Sequence, residues 1–148
     1  MSWKMSSTRS WVPKLRPELE PKIVEDKRSG SPMLVPTPML VAQEIRRVRR
    51  GRLITPARLR AGLARRTGAA AVCPMTTGIC MSIVAGAAEE QIANGARPVA
   101  PYWRVVEENG SLRERNPAGA AVQARRLRAE GHEVTKVRGR EVWKVERG

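Results

Sequence analysis

Apolar residues recur along this chain at two different spacings, and the spacing changes several times. Val41, Ile45 and Val48 repeat at helical intervals behind Thr37-Pro38. Thr supplies a cap oxygen and Pro fits the first helical position, where its missing N–H is harmless. The pattern predicts a first helix that Gly51 ends. Thr55-Pro56 repeats the signature, Leu59 and Leu63 lie one turn apart, and Gly68 stops a second helix. Two short capped helices on a tight connection predict a helix-turn-helix unit. Ile79, Ile83, Val84, Ala87 and Ala88 form the apolar face of a third helix, capped from Thr76-Thr77-Gly78 and ended by Asn94-Gly95.

Pro98 to Val106 reads as extended, followed by an Asn109-Gly110 turn. Asn116-Pro117 is expected to open a fourth helix that Gly131 ends, with Val122 and Leu127 inward. Val134 to Val137 and Glu141 to Val145 are β-prone runs around Arg138-Gly139-Arg140. They predict a terminal hairpin with Trp143 packed beneath it. Residues 1–37 carry Pro13, Pro17, Pro21, Pro32 and Pro36, too many for a helical or alternating pattern. They read as an extended, partly disordered arm with Trp11 and Val12 as anchor points. The expected fold is mainly α with small β: a winged helix-turn-helix domain over residues 38–148, with a short hairpin and the arm.

Charge sharpens this picture. The formal net charge is +14, and it is uneven. Residues 38–68 hold nine basic side chains against one acidic, whereas residues 69–148 hold twelve against nine. Such a field attracts polyanions, nucleic acid first among them. Arg46, Arg47, Arg49, Arg50, Arg52, Arg58 and Arg60 are dense enough to neutralise several phosphates. The N–H groups of Thr76, Thr77 and Gly78 would add to them if they face an anion. A solvated basic face is the alternative reading of the same arginines.

Little in the composition supports catalysis. His132 is the sole histidine and follows a helix-ending glycine. Glu89-Glu90 and Glu107-Glu108 read as solvated faces. Two cysteines, Cys73 and Cys80, with one histidine are too few for a usual structural zinc site, and no cofactor is implied. That cysteine usage suits a reducing cytoplasm. No run of about 18 apolar residues predicts a membrane span. The start, Met1-Ser2-Trp3-Lys4-Met5, lacks a signal-peptide pattern.

One ordered set of residues is more specific. Pro101, Arg104-Val105-Val106, Gly119, Ala121-Val122-Gln123 and Leu127 through His132 resemble the active-site half of the alkylguanine-DNA alkyltransferase family, whose core reads Pro-Cys-His-Arg-Val-Val. Gly51-Arg52-Leu53-Ile54-Thr55 resembles the segment that opens its DNA-binding half, and Asn94 falls at its hinge asparagine. The resemblance covers roughly residues 38–134. It implies a winged helix-turn-helix that enters the minor groove and flips a damaged guanine into a pocket beside the cysteine.

The departures decide what that resemblance can mean. Tyr102 stands at the acceptor cysteine and Trp103 at the histidine that would activate it, while Glu130 falls where the family keeps a glutamate. A phenol with a pKa of about 10 is a poor nucleophile at neutral pH. Pro56 stands at the family's phosphate-turning tyrosine, and Asn116 and Pro117 at its pocket tyrosine and serine. Ala85 stands at the arginine that replaces the flipped base, and no Lys or Arg occurs between Arg66 and Arg97.

The chain therefore resembles alkyltransferase-like proteins, which keep the fold without the acceptor. The resemblance implies a lesion pocket from Tyr102, Trp103, Arg104, Asn116 and Glu130. It also implies a monomer on double-stranded DNA, alkylated or not, with a repair protein as a further partner. Two alternatives stay open. One is a repurposed module that binds undamaged nucleic acid or a protein. The other is a transferase with a relocated acceptor, Cys80 or Cys73.

Overall fold

The computed structural model describes residues 10–113, 115–137 and 142–145. Among them are four α-helices and two small sheets, a mainly α fold with little β. Helix α1 spans Pro38–Arg46 and α2 spans Pro56–Thr67. The expected caps form: Thr37 Oγ1 accepts from the Leu40 N–H at 3.2 Å and Thr55 Oγ1 from the Arg58 N–H at 3.3 Å. Removing such a cap costs about 1 kcal/mol. Gly68, at φ +75°, terminates α2 in the left-handed conformation expected of it.

Helix α1 ends earlier than its apolar spacing predicts. Arg47 is its last cap and Val48 lies beyond it, donating its N–H to Ile45 O at 2.9 Å. Val48, half-buried, belongs to the connection rather than to the helix.

Helix α3 spans Pro74–Ala93 and so begins before Thr76. Pro74 takes the first position, which leaves Thr77 inside the helix and wholly buried. Ala85, Gly86, Ala87 and Ala88 are all buried there, so neighbouring backbones approach closely. Helix α4 spans Ala120–Ala129, three residues later than Asn116-Pro117 suggested. Asn116 instead closes a local turn, its Oδ1 accepting from the Ala118 N–H at 3.1 Å.

The N-terminal region differs most from expectation. Residues 12–15 form a 3-10 turn, and β1 (Lys22–Glu25) pairs antiparallel with β2 (Pro32–Val35). Strand β2 in turn pairs in parallel with the two-residue β3 (Ala71–Val72). Prolines do not prevent this. Pro32 sits at a strand end, and Pro13 lies in the first turn of a 3-10 segment, positions that need no N–H. Leu34 and Leu15 enter the main core, at 2% and 6% exposure.

That core joins α1, α2 and α3 through Val41, Ile45, Leu59, Leu63 and Val84, each at most 1% exposed. Truncating any of these to Ala would cost about 2–5 kcal/mol. A second cluster gathers Val106, Leu112, Ala124, Leu127, Val134 and Val145 beneath α4 and the hairpin of β4 (Val134–Val137) with β5 (Val142–Val145). Trp103 packs against both clusters. The backbone of Trp143 pairs with Lys136 in that hairpin. Its expected packing and the turn at Arg138-Gly139-Arg140 lie outside the described residues.

Candidate functional site

The central stretch is not an extended strand. Tyr102–Arg104 make one 3-10 turn, after which Val105 forms an isolated parallel bridge with Ile54. The Ile54 N–H donates to Arg104 O and the Val106 N–H to Ile54 O, both at 2.9 Å. The Gly51–Thr55 segment and the central stretch, both singled out by the sequence, are thereby joined.

The five residues expected to line a pocket fall into separate bonded groups around the central turn. Tyr102 is 4% exposed. Its hydroxyl donates to Glu89 Oε2 at 2.6 Å, and Arg126 holds the same carboxylate with Nε at 2.9 Å and Nη2 at 2.6 Å. Glu89 is thus no solvated face. It is a buried acceptor between α3, α4 and the central turn. Burial pushes the Tyr102 phenol well above its ordinary pKa, and the hydrogen bond to Glu89 adds to that. Trp103 meets the Tyr102 ring edge-on, centroids 5.3 Å apart, with the Arg126 guanidinium 5.9 Å from its own ring centre. The buried indole N–H of Trp103 and the Nε2 of His132 find no hydrogen-bond partner among the described residues.

Arg104 and Glu130 form a separate clamp. Arg104 Nε and Nη2 reach the Glu130 carboxylate at 2.9 and 2.7 Å, and Nη1 donates to Val48 O at 2.7 Å. The pair ties the central turn to the ends of α1 and α4. Glu130 therefore has a partner, although the histidine that such a glutamate orients in the alkyltransferase family is absent. Asn116 Nδ2 donates to Gln123 Oε1 at 3.3 Å, and Gln123 Nε2 donates to Trp103 O and Val105 O.

Beside this cluster lies a cleft of about 420 Å³ between α3 and the start of α4, walled by Trp11, Gly86, Glu89, Pro117, Val122 and Arg126. None of the five expected pocket residues lines it. The Trp11 ring lies against Gly86, where an added Cβ would overlap it. Glu90 accepts from the N–H groups of Trp11 at 2.7 Å and Val12 at 2.9 Å and from the Ser10 hydroxyl at 2.8 Å. Glu90 thus anchors the N-terminal segment to α3.

The expected phosphate-binding arginines divide. Arg47, Arg49, Arg52 and Arg58 share one groove with Arg65 and Arg66, about 640 Å³ in volume, whose acidic wall residue is Glu44. Glu44 is 6% exposed and is held by Arg66 at 2.8 and 3.1 Å and by Arg47 at 3.7 Å. Gly62 makes room for it, since a Cβ there would collide with the carboxylate. Arg46 reaches Val99 O, and Arg50 reaches Ala129 O and, at 3.9 Å, Glu130. Neither these two nor Arg60 lines the groove. Of the three N–H groups expected to face an anion at Thr76-Thr77-Gly78, that of Thr77 is spent on Cys73 O at 3.0 Å, which its hydroxyl also reaches at 2.7 Å.

Sequence reasoning missed Arg65 and Arg66. The signal was present, because Arg58, Ala61, Gly62, Arg65 and Arg66 follow the helical stripe i, i+3, i+4, i+7, i+8 on α2. The two cysteines left open as acceptors differ in setting, Cys80 buried and Cys73 half-buried. Burial pushes the Cys80 thiol up to about 12, whereas Cys73 is the cap residue of α3, and a hydrogen bond from the Thr76 hydroxyl at 3.3 Å leads the causes that lower it. Among the described residues no His, Cys, Asp and Glu group could hold a metal ion, and no helix is long and apolar enough to cross a membrane.

The fold and these clusters define a small basic α-rich protein with a cationic groove and a sealed central turn. No protein-family model matches the chain, and no curated protein matches it. Among solved structures it is similar to S. pombe Atl1, whose crystal structure is a complex with damaged DNA containing O6-carboxymethylguanine. The identity is 20%, the TM-score 0.49, and the match covers 74% of this chain and 87% of that chain. The DNA in that complex is a fact about that protein.

Proposed function

We propose that this chain is a non-enzymatic double-stranded DNA-binding protein of the alkyltransferase-like, winged helix-turn-helix kind. The carrying observation is the groove in which Arg47, Arg49, Arg52, Arg58, Arg65 and Arg66 face a single carboxylate. Two of these arginines already neutralise Glu44, which leaves four for phosphate. Contacts of this sort position a duplex and give salt-dependent affinity. Position 102 takes no alkyl group on this reading. Its oxygen is a buried, protonated phenol committed to Glu89, with no histidine to take the proton.

A second, finer reading is that the protein senses alkylated guanine. The cleft beside Tyr102 favours it. At about 420 Å³ it falls in the range of ligand pockets, and it combines an indole face with Glu89 and Arg126. A base turned into it would meet Arg126 and Glu89 rather than the rings of Tyr102 and Trp103.

The test is fluorescence anisotropy on matched duplexes with and without one O6-alkylguanine, across a salt series, followed by intact-mass measurement of the protein. Expected are binding that weakens steeply with salt, tighter binding to the lesion duplex, and unchanged protein mass. Equal affinity for both duplexes would remove lesion sensing and leave DNA binding. No binding to either at low salt would remove both, and added mass on the protein would make it a transferase.

A further inference from the structure

Strand β1 is an open sheet edge. Its outer side has no neighbour in the order β1-β2-β3. All four of its residues are exposed, Ile23 at 54% and Val24 at 38%. A row of unpaired N–H and C=O groups is a template for another strand.

The groups that this edge offers follow from its register. In an antiparallel pair, hydrogen-bonded and non-hydrogen-bonded positions alternate. The Asp26 N–H donates to Ser31 O at 2.9 Å, so Val24 opposite Met33 and Lys22 opposite Val35 are hydrogen-bonded positions too. Ile23 and Glu25 are the intervening residues, and their N–H and C=O groups point away from β2. The partners on β2 agree. Pro32, opposite Glu25, has no N–H to give, and Leu34, opposite Ile23, spends its carbonyl on the Cys73 N–H at 2.9 Å, on the β3 side. Among the described residues no hydrogen bond reaches the outward groups of Ile23 or Glu25.

We propose that β1 pairs antiparallel with β1 of a second copy about a twofold axis, joining two three-stranded sheets into one. Such an axis stands normal to the sheet and sets opposite each other only residues that share a face. Centred on Val24, it places Ile23 opposite the partner's Glu25, and each such pair exchanges two backbone hydrogen bonds. Val24 meets its own copy at the axis. Lys22 falls opposite the partner's Asp26 on that same face, an opposite-charge pair on either side of the valines. The neighbouring registers are worse. Centred on Ile23, the pairing calls on Pro21 for an N–H it lacks and sets Glu20 against Asp26. Centred on Glu25, it sets two glutamates face to face.

Charge favours this edge for a second copy. The chain carries +14, which opposes self-association over most of its surface. Residues 16–28 escape that, with four basic and four acidic side chains. A short edge bearing a lysine is also how proteins keep edges apart. Here the lysine is matched, and among the described residues neither Lys22 nor Asp26 has an ion-pair partner within its own copy. None of residues 16–28 lines the arginine groove, so pairing leaves that groove open and does not depend on the DNA-binding reading.

The experiment is sedimentation velocity of the full chain without DNA over a concentration series, in which monomer should give way to dimer. Ile23→Pro removes one outward donor from each copy and leaves the ladder to β2 intact, and Val24→Lys sets like charges at the axis. Each should weaken the dimer about tenfold or more. Val24→Lys changes only an exposed side chain, so its thermal midpoint should hold. Lys22→Glu should weaken the dimer by a margin that added salt reduces. Val24→Cys in a Cys73→Ser background, oxidised with diamide, should give a covalent dimer, because facing Cα atoms about 4.5 Å apart suit a disulfide. Ile23→Cys in the same background should not, since its two copies lie diagonally, about 7–8 Å apart.

A monomer at every concentration overturns the proposal. So does a dimer that survives both Ile23→Pro and Val24→Lys, which would place the contact elsewhere. Cross-linking through position 23 in place of 24 overturns the register and the twofold pairing with it.

Discussion

The Tyr102 hydroxyl and the Arg126 Nε converge on one oxygen of Glu89, at 2.6 and 2.9 Å. Tyr102 thereby makes a structural bond between the central turn, α3 and α4. Replacing Tyr102 by Phe removes a donor to a charged acceptor and should cost about 1–3 kcal/mol, measured by urea unfolding. Because folding raises the phenol pKa, the stability it confers is complete below the ordinary value of 10.0 and is lost as pH rises beyond it. The parent should destabilise in that alkaline range more steeply than Tyr102→Phe. Tyr102→Cys should leave a cavity, fold less stably and take up no alkyl group from alkylated DNA.

Three hydrogen-bonded carboxylates set the acid limit. Burial raises Glu89, but hydrogen bonds from Arg126 and Tyr102 outweigh it. Burial raises Glu90, but the N–H groups of Trp11 and Val12 outweigh it. Burial raises Glu130 likewise, and the hydrogen bonds and charge of Arg104 are prominent among the forces that outweigh it. All three end below the ordinary 4.5. Their contribution is present above that value and is lost as pH falls through the lowered values. Unfolding free energy should therefore drop as pH falls below 4.5, and Glu89→Gln should flatten that drop.

Arg104 and Glu130 form a nearly dry ion pair, with side chains 13% and 4% exposed. Removing one partner strands the other, so Arg104→Ala should cost about 3–5 kcal/mol. Arg104→Met/Glu130→Leu should recover much of that loss, since desolvation no longer opposes folding. Arg104→Lys should behave closer to Ala than to Arg, because it cannot hold the carboxylate with a planar fork and reach Val48 O as well. A chemical-denaturation cycle over these variants measures the coupling.

The starts of α1 and α2 and their caps were legible because Thr-Pro and helical apolar spacing act locally. The hidden parts depend on residues far apart in sequence. Leu34 joins the core only because β2 pairs with β3, nearly forty residues on, a distance that local pattern does not carry. Asn116-Pro117 has the letters of a helix start, yet tertiary contact with Gln123 holds Asn116 in a turn and delays α4. Glu44 and Glu89 look like surface acids until Arg66 and Arg126 fold over them. For the candidate site, the sequence marked the central stretch and the basic region around α1 and α2. It could not show that Tyr102 would be sealed by Glu89 and Arg126 rather than open onto a pocket.

The two thiols should differ sharply in reactivity. Cys73 is half-buried at the cap of α3, where the Thr76 hydrogen bond favours its thiolate, whereas Cys80 is 3% exposed and pushed up to about 12. Iodoacetamide at neutral pH should label Cys73 and spare Cys80 in the folded protein, read by peptide mass spectrometry. Thr76→Val should slow the Cys73 reaction. Labelling of Cys80 at a comparable rate would mean that the core around α3 opens readily.

Gly86 tests whether the N-terminal segment is held where it lies. The Trp11 indole covers the position that a Cβ would take, and Lys14 Nζ sits 4.4 Å from the same ring. Glu90 adds three hydrogen bonds to residues 10–12. Gly86→Ala leaves helix propensity no worse but displaces the ring, so segment release rather than global unfolding should follow. Glu90→Gln should act the same way by weakening the charge-assisted bonds. Limited trypsin digestion reads the outcome, since cleavage after Lys14 should accelerate in both variants while the thermal midpoint falls only modestly. Unchanged cleavage in both would place the hold on this segment in the pairing of β1 with β2 and in Leu15, and not in the indole.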